Sequence, residues 1–253
     1  MTSPPASSTT STDHPAPSHQ VLNHAQEVLR RTAITANPFF TDLASGAMSV
    51  AQFRRTQEQF SFAVEFFPRP MAALIGRIPD PKARLEILHN LVEEHGEFDE
   101  QQFHKSTFAA FLRSIGADPA TLEAQSLWPC LRAFNAVLTT ACVLDELEVG
   151  VACMGIIELA FSSCSAAIGS AVVRHGWVPA GQLVHYKLHA AIDVRHADEF
   201  FSVVEPRWAD ARQRYFIQQG CELGAYIFDR LYRDLHRAAE SEGSGERVGN
   251  AAP

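Results

Sequence analysis

The octapeptide HAAIDVRH sets His189, Asp193 and His196 at offsets of four and seven. At about 100° per residue, these offsets return to one face of an α-helix. Neutral imidazoles and a carboxylate on one stripe are ligands for iron, manganese or zinc. Leu188, Ile192, Phe200 and Phe201 flank the stripe, which marks it for the interior rather than a wetted face. A second segment, EFDEQQFH, spaces Glu97 and His104 seven apart, again one stripe if the segment is helical. Taken alone this pair is ambiguous, because EEHGEFDEQ is acidic enough to be a solvated surface. Gly96 would weaken a helix there by about 1 kcal/mol. A third segment, GVACMGIIELAFSSCSAAIGSAVV, carries Glu158 as its one charged residue. A buried carboxylate protonates, pairs or binds a metal. Together the three segments offer Glu/His, Glu, and His/Asp/His, and inward carboxylates and imidazoles from facing helices are how a bundle holds two metal ions.

The elements that must position these residues read as helices. HQVLNHAQEVLRRTA has apolar residues at three-four spacing, and no alternating Val/Ile/Thr ladder predicts a sheet. Asn37-Pro38, Ser49 and Asp80-Pro81 are helix starts, and Pro68 forces a bend or restart. DPATLEA is expected to open a further turn, and a long amphipathic helix from WADARQRYF closes the chain. The expected fold is an all-α bundle of about seven or eight helices. The Ser/Thr/Pro-rich residues 1–18 and the terminal 240–253 are expected to be disordered tails around one domain over 19–239.

A formal charge of −8 leaves no basic footprint for nucleic acid. Lysine occurs only at 82, 105 and 187, so Schiff-base chemistry has few candidates. Five cysteines without a C-x-x-C pair are expected to be free thiols in a reducing, cytoplasmic setting. The start has neither a basic nor an apolar signal region. Gly150–Val173 has the length to cross a membrane, but Glu158, the serines and the missing aromatic belt favour a buried core helix and no membrane partner.

The order E-x6-H, a lone buried Glu, then H-x3-D-x2-H, with FPRPMAALIGRIPD, NLVEEHGE and FLRSIGAD, resembles the haem-oxygenase-like di-metal oxygenases, relatives of the TENA/PqqC-type proteins. The resemblance implies a seven-helix haem-oxygenase-like bundle and two irons held by Glu97, His104, Glu158, His189, Asp193 and His196. It also implies O2 as co-substrate, a ferredoxin or other external reductant, and a homodimer as a common assembly. The reaction it points to first is N-oxygenation of a small-molecule amine or amino-acid-like substrate to a hydroxylamine, nitroso or nitro product in natural product biosynthesis. The alternative is oxidative C–C cleavage or desaturation of an amino or fatty acid, for which Arg69, Arg174 and Arg195 are conceivable carboxylate anchors. The p-aminobenzoate-forming branch consumes one of its own tyrosines. Here Tyr186, Tyr215, Tyr226 and Tyr232 all lie in the C-terminal half, which argues against sacrifice of an N-terminal tyrosine. A metal-free or haem-binding relative, using His19 or His24, would leave Glu158, Asp193 and His189 unexplained.

Overall fold

The computed structural model describes residues 19–118 and 125–249. The N-terminal tail and the turn expected within 119–124 lie outside them. Among the described residues the chain is helical throughout, with no strand. Helices α1 (Gln20–Thr32), α2 (Pro38–Ser45), α3 (Val50–Phe66), α4 (Pro68–Arg77) and α5 (Pro81–Glu94) form the first half. Then come α6 (His104–Ser114), α7 (Pro129–Thr139), α8 (Leu147–Arg174), α9 (His185–Val204) and α10 (Ala211–Gly249). The expected starts are built as their chemistry requires. The Asn37 side chain accepts from the Phe39 amide, Ser49 forms a reciprocal capping box with Gln52, and Asp80 accepts from the Lys82 amide. Pro68 divides α3 from α4, so there are more helices than the periodicity alone predicts. The last helix is drawn to Gly249, into the stretch expected to be a tail.

Helix α8 is the axis of the bundle and packs mainly against α9 and α10. Close approach explains how. A Cβ on Gly224 of α10 would come within 2.5 Å of Ile156 Cγ2 and 2.7 Å of the Cys153 carbonyl oxygen. On the other side, a Cβ on Gly155 would meet the Phe201 ring at 2.7 Å. Small residues at both contacts bring the flanking backbones against α8 and direct Glu158 towards α9. This helix is long and apolar enough to cross a membrane, but most of its apolar surface is covered by its neighbours. Four cysteines are buried free thiols, and Cys130 is half-buried.

Candidate metal centre

The stripe predicted on α9 is present. His189, Asp193 and His196 are each buried on the face that meets α8, and Glu158 is 3% exposed. His189 Nδ1 lies 2.8 Å from Asp193 Oδ1. His196 Nδ1 lies 3.8 Å from both Glu158 Oε2 and Asp193 Oδ1. From α6, His104 stacks edge-on to His189 with ring centres 4.5 Å apart. Five of the six residues expected from the sequence therefore share one buried place.

Glu97 does not join them. The seven-residue spacing to His104 makes a stripe only on a continuous helix, and α5 stops at Glu94. Gly96, Glu97 and Phe98 follow at φ of 56°, 51° and 74°, a left-handed run that two of these residues tolerate poorly. Gly96 is required there, because a Cβ would sit 2.5 Å from the Gln102 carbonyl carbon. Glu97 ends up exposed, and α6 begins only at His104. The carboxylate that meets His104 is Glu94, buried, with Oε1 2.8 Å from Nδ1. Acceptor atoms of Glu94 and Glu158 and a ring nitrogen of His196 all lie within 4.8 Å of one another.

Two further residues were not singled out by spacing. Glu93 accepts from His196 Nε2 at 2.6 Å and is itself clamped by Arg195 at 2.7 and 2.6 Å. Arg195 also reaches Glu199 at 2.7 Å. This chain fixes the His196 proton on Nε2 and leaves Nδ1 facing Glu158, the arrangement by which an outer carboxylate orients a metal-binding imidazole. The signal for Glu93 and Glu94 is the EEHGE run itself, in which helical spacing to His104 points to the last of three acids, Glu97, and the structure turns the first two inward.

Several atoms that could bind a metal are left without a hydrogen-bond partner, among them His104 Nδ1, Glu158 Oε1, His189 Nε2, Asp193 Oδ2 and His196 Nδ1. Glu94 approaches His104 closely but without the direction of a hydrogen bond. Burial pushes Glu158 up to about 7 and lifts Asp193 well above the usual carboxylate range. Burial, with His104 beside it, holds His189 down to about 3. Burial opposes charge on His196 as well, yet Glu158 and Glu93 carry it up to about 10. Against the opposition of burial, Glu94 and His104 favour charge as a pair, Glu94 shifted down and His104 up, whereas burial holds Glu158, Asp193 and His189 towards their neutral forms. A cation would satisfy them all in their deprotonated forms, and oxygen and nitrogen donors in this mixture suit iron or manganese. The residues fit the group.

A narrow cavity of about 50 Å³ opens on the cluster. Its walls are apolar, from Phe60, Ala63, Phe134, Ile157, Phe161 and Phe228, while Glu94, His104, Glu158, His185 and His189 form its polar end.

Residues 54–226 match the model of a family described as iron-containing redox enzymes. The chain belongs to this family. Among curated relatives, the 4-aminobenzoate synthase of Chlamydia muridarum is 22% identical over 185 residues, 73% of this chain and 77% of that one. A CADD-like protein of unknown function from Nostoc punctiforme superposes with a TM-score of 0.72 at 12% identity, covering 87% of this chain and 97% of the other. A domain of unknown function with a heme oxygenase-like fold from Shewanella denitrificans gives 0.70 at 16% identity, with 89% and 93% covered. These likenesses show the haem-oxygenase-like fold.

Within this iron-containing family the other expected positions can be placed. Arg174 is turned to the Ala44 carbonyl and Arg195 is spent on Glu93 and Glu199. Arg69 lines an outer cleft that shares Val64 and Glu94 with the cavity. His19 is exposed and His24 packs on Trp208, and neither lines the cavity. The four tyrosines are likewise absent from its walls.

Proposed function

We propose that this chain is a non-haem di-iron, O2-dependent oxygenase acting on a small, largely apolar molecule, with N-oxygenation of an amine as its reaction. The reading rests on one observation: His104, Glu158 and His189 present unpartnered ligand atoms at the polar end of an apolar cavity, with Asp193 and His196 in contact with them. Glu94, His104, Glu158, His189, Asp193 and His196 would hold the metals, which supply reduction of O2 when bound. The chain's own residues do the rest. Glu93 and Arg195 hold His196 in the ligating tautomer, and the aromatic walls exclude water and position the substrate beside the cluster. An external reductant completes the electron balance.

Arg69 favours one second reading. Its place beside the outer cleft suits the carboxylate of an amino or fatty acid whose body enters the cavity, the substrate form required for oxidative C–C cleavage. The decisive experiment is anaerobic loading with Fe(II), metal analysis and O2 uptake. Binding of about two irons per chain supports the reading, and fewer than about one with no O2 uptake overturns it. Product mass spectrometry then separates the reactions: oxygen gained on nitrogen, or carbon lost.

A further inference from the structure

His185 is a polar group in the cavity that the proposed metal set does not use. It opens α9 one turn before His189, is 1% exposed, and lines the apolar chamber. Its ring lies 4.3 Å from that of His189 and 4.9 Å from that of Phe108, centre to centre. Nδ1 is 3.0 Å from Thr107 Oγ1. The Thr107 hydroxyl donates to the His104 carbonyl at 3.0 Å, so its oxygen is left to accept from His185. That places the ring proton on Nδ1 and leaves a bare lone pair on Nε2. Nε2 is buried and has no partner.

We propose that His185 is a substrate-binding residue whose Nε2 accepts a hydrogen bond from a donor group of the substrate. The substrate class follows: an apolar body, aromatic or aliphatic, carrying one N–H or O–H donor at the end nearest the metals. The inference rests on the cavity being the substrate chamber, as in the proposed function. A buried acceptor with no partner is costly, and a ligand donor that satisfies it is rewarded over an isostere that cannot. Thr107 acts through the ring as a positioning residue, fixing which nitrogen is bare. With Glu94, His104, Glu158 and His189 engaged on the metals, His185 Nε2 is the acceptor left to the substrate, and it would decide where the donor lies and so which atom of the substrate faces the cluster.

The test uses 4-fluoroaniline and 4-fluorotoluene, which differ by NH2 against CH3. Their binding to the full-length chain is followed by 19F NMR with Zn(II) bound as a diamagnetic stand-in, so that the other polar groups of the chamber are engaged. An apolar chamber without an acceptor favours the toluene, since the amine must be desolvated. Going from wild type to His185→Phe should move the aniline-to-toluene affinity ratio towards toluene by about tenfold or more. His185→Gln, which keeps an acceptor near the Nε2 position, should restore most of it. Thr107→Val, which leaves the histidine in place, should shift the ratio in the same direction by about threefold. Fe(II) stoichiometry should stay at the wild-type value in all three. A ratio unchanged within about twofold in His185→Phe and Thr107→Val overturns the proposal. So does loss of iron in His185→Gln, which would make His185 a ligand. If wild type takes up no iron while the ratio behaves as expected, the di-iron reading fails and this one stands.

Discussion

Replacing Glu158 with glutamine distinguishes a structural carboxylate from a metal ligand, because the two roles predict opposite signs. In the metal-free fold, burial lifts Glu158 from the usual 4.5 to about 7. At about 1.4 kcal/mol per tenfold change in proton affinity, its ionised form costs the fold roughly 3 kcal/mol. The folded value lies above the unfolded one. The cost is therefore absent well below pH 4.5, grows between the two values, and is complete above about pH 7. Glutamine keeps the volume and removes the charge. In chelator, at about pH 8, denaturant unfolding should show Glu158→Gln more stable than wild type by up to roughly 3 kcal/mol, with the m-value unchanged. At about pH 5 the difference should shrink to about 1 kcal/mol or less. Saturating Fe(II) should reverse the order, since a ligand at a thousandfold excess over its Kd adds about 4 kcal/mol to the protein that binds it. A variant less stable than wild type in chelator at about pH 8 would refute this account. A variant that keeps its full iron would refute it equally.

Iron analysis of Glu94→Gln and Glu97→Gln tests which carboxylate serves: the first should lose about one iron per chain and the second none. Loss in Glu97→Gln instead would mean that 95–103 winds into helix around the metal. Glu93→Gln should keep the iron count at saturating Fe(II) while weakening affinity about 10–100-fold, read by chelator competition. An unchanged affinity would show that the contact to His196 does no orienting. Gly224→Ala drives a Cβ to 2.5 Å from Ile156 and 2.7 Å from the Cys153 carbonyl, neither of which is a flexible chain end. It should cost about 1–3 kcal/mol and lower Tm by about 2–4 °C for each, and an unaltered Tm would show that α8 and α10 can part freely.

What was legible in the sequence is what short-range physics dictates. The α9 stripe was readable because His189, Asp193 and His196 sit within two turns of one regular helix, where spacing fixes direction. Glu158 was readable because a lone acid in an apolar run demands a partner whatever the fold. The proline and Asn, Ser and Asp starts were readable because capping is local chemistry. Glu97 shows where this stops. Its offset from His104 assumed a helix, and three consecutive left-handed residues beginning at Gly96 break it, so the inward acid became Glu94. Glu93 and His185 were missed for a different reason. Each acquires its role from a partner far along the chain, His196 and Thr107, and no local pattern announces such a pairing.

Residue type alone does not make the cluster a metal centre, and a second cluster in the same chain shows why. Asp42, His236 and Glu240 also bring ligand atoms within 4.8 Å of one another. There, His236 Nε2 meets Asp42 Oδ2 at 2.9 Å and Nδ1 meets Glu240 Oε2 at 3.5 Å, at a place where Glu240 is exposed. Both ring nitrogens are occupied, water reaches the acids, and an ion pair is a sufficient account. At the α8–α9 cluster the comparison runs the other way. His196 Nε2 has a firm partner in Glu93, while acceptor atoms of Glu94 and Glu158 and a ring nitrogen of His196 lie within 4.8 Å of one another, and Glu158 Oε1 and His196 Nδ1 have no partner. Unpaired acceptors in a dry place cost stability in the empty fold, and a bound cation would relieve that cost without protonating them. That is the physical reason the proposed iron site lies here and not at His236.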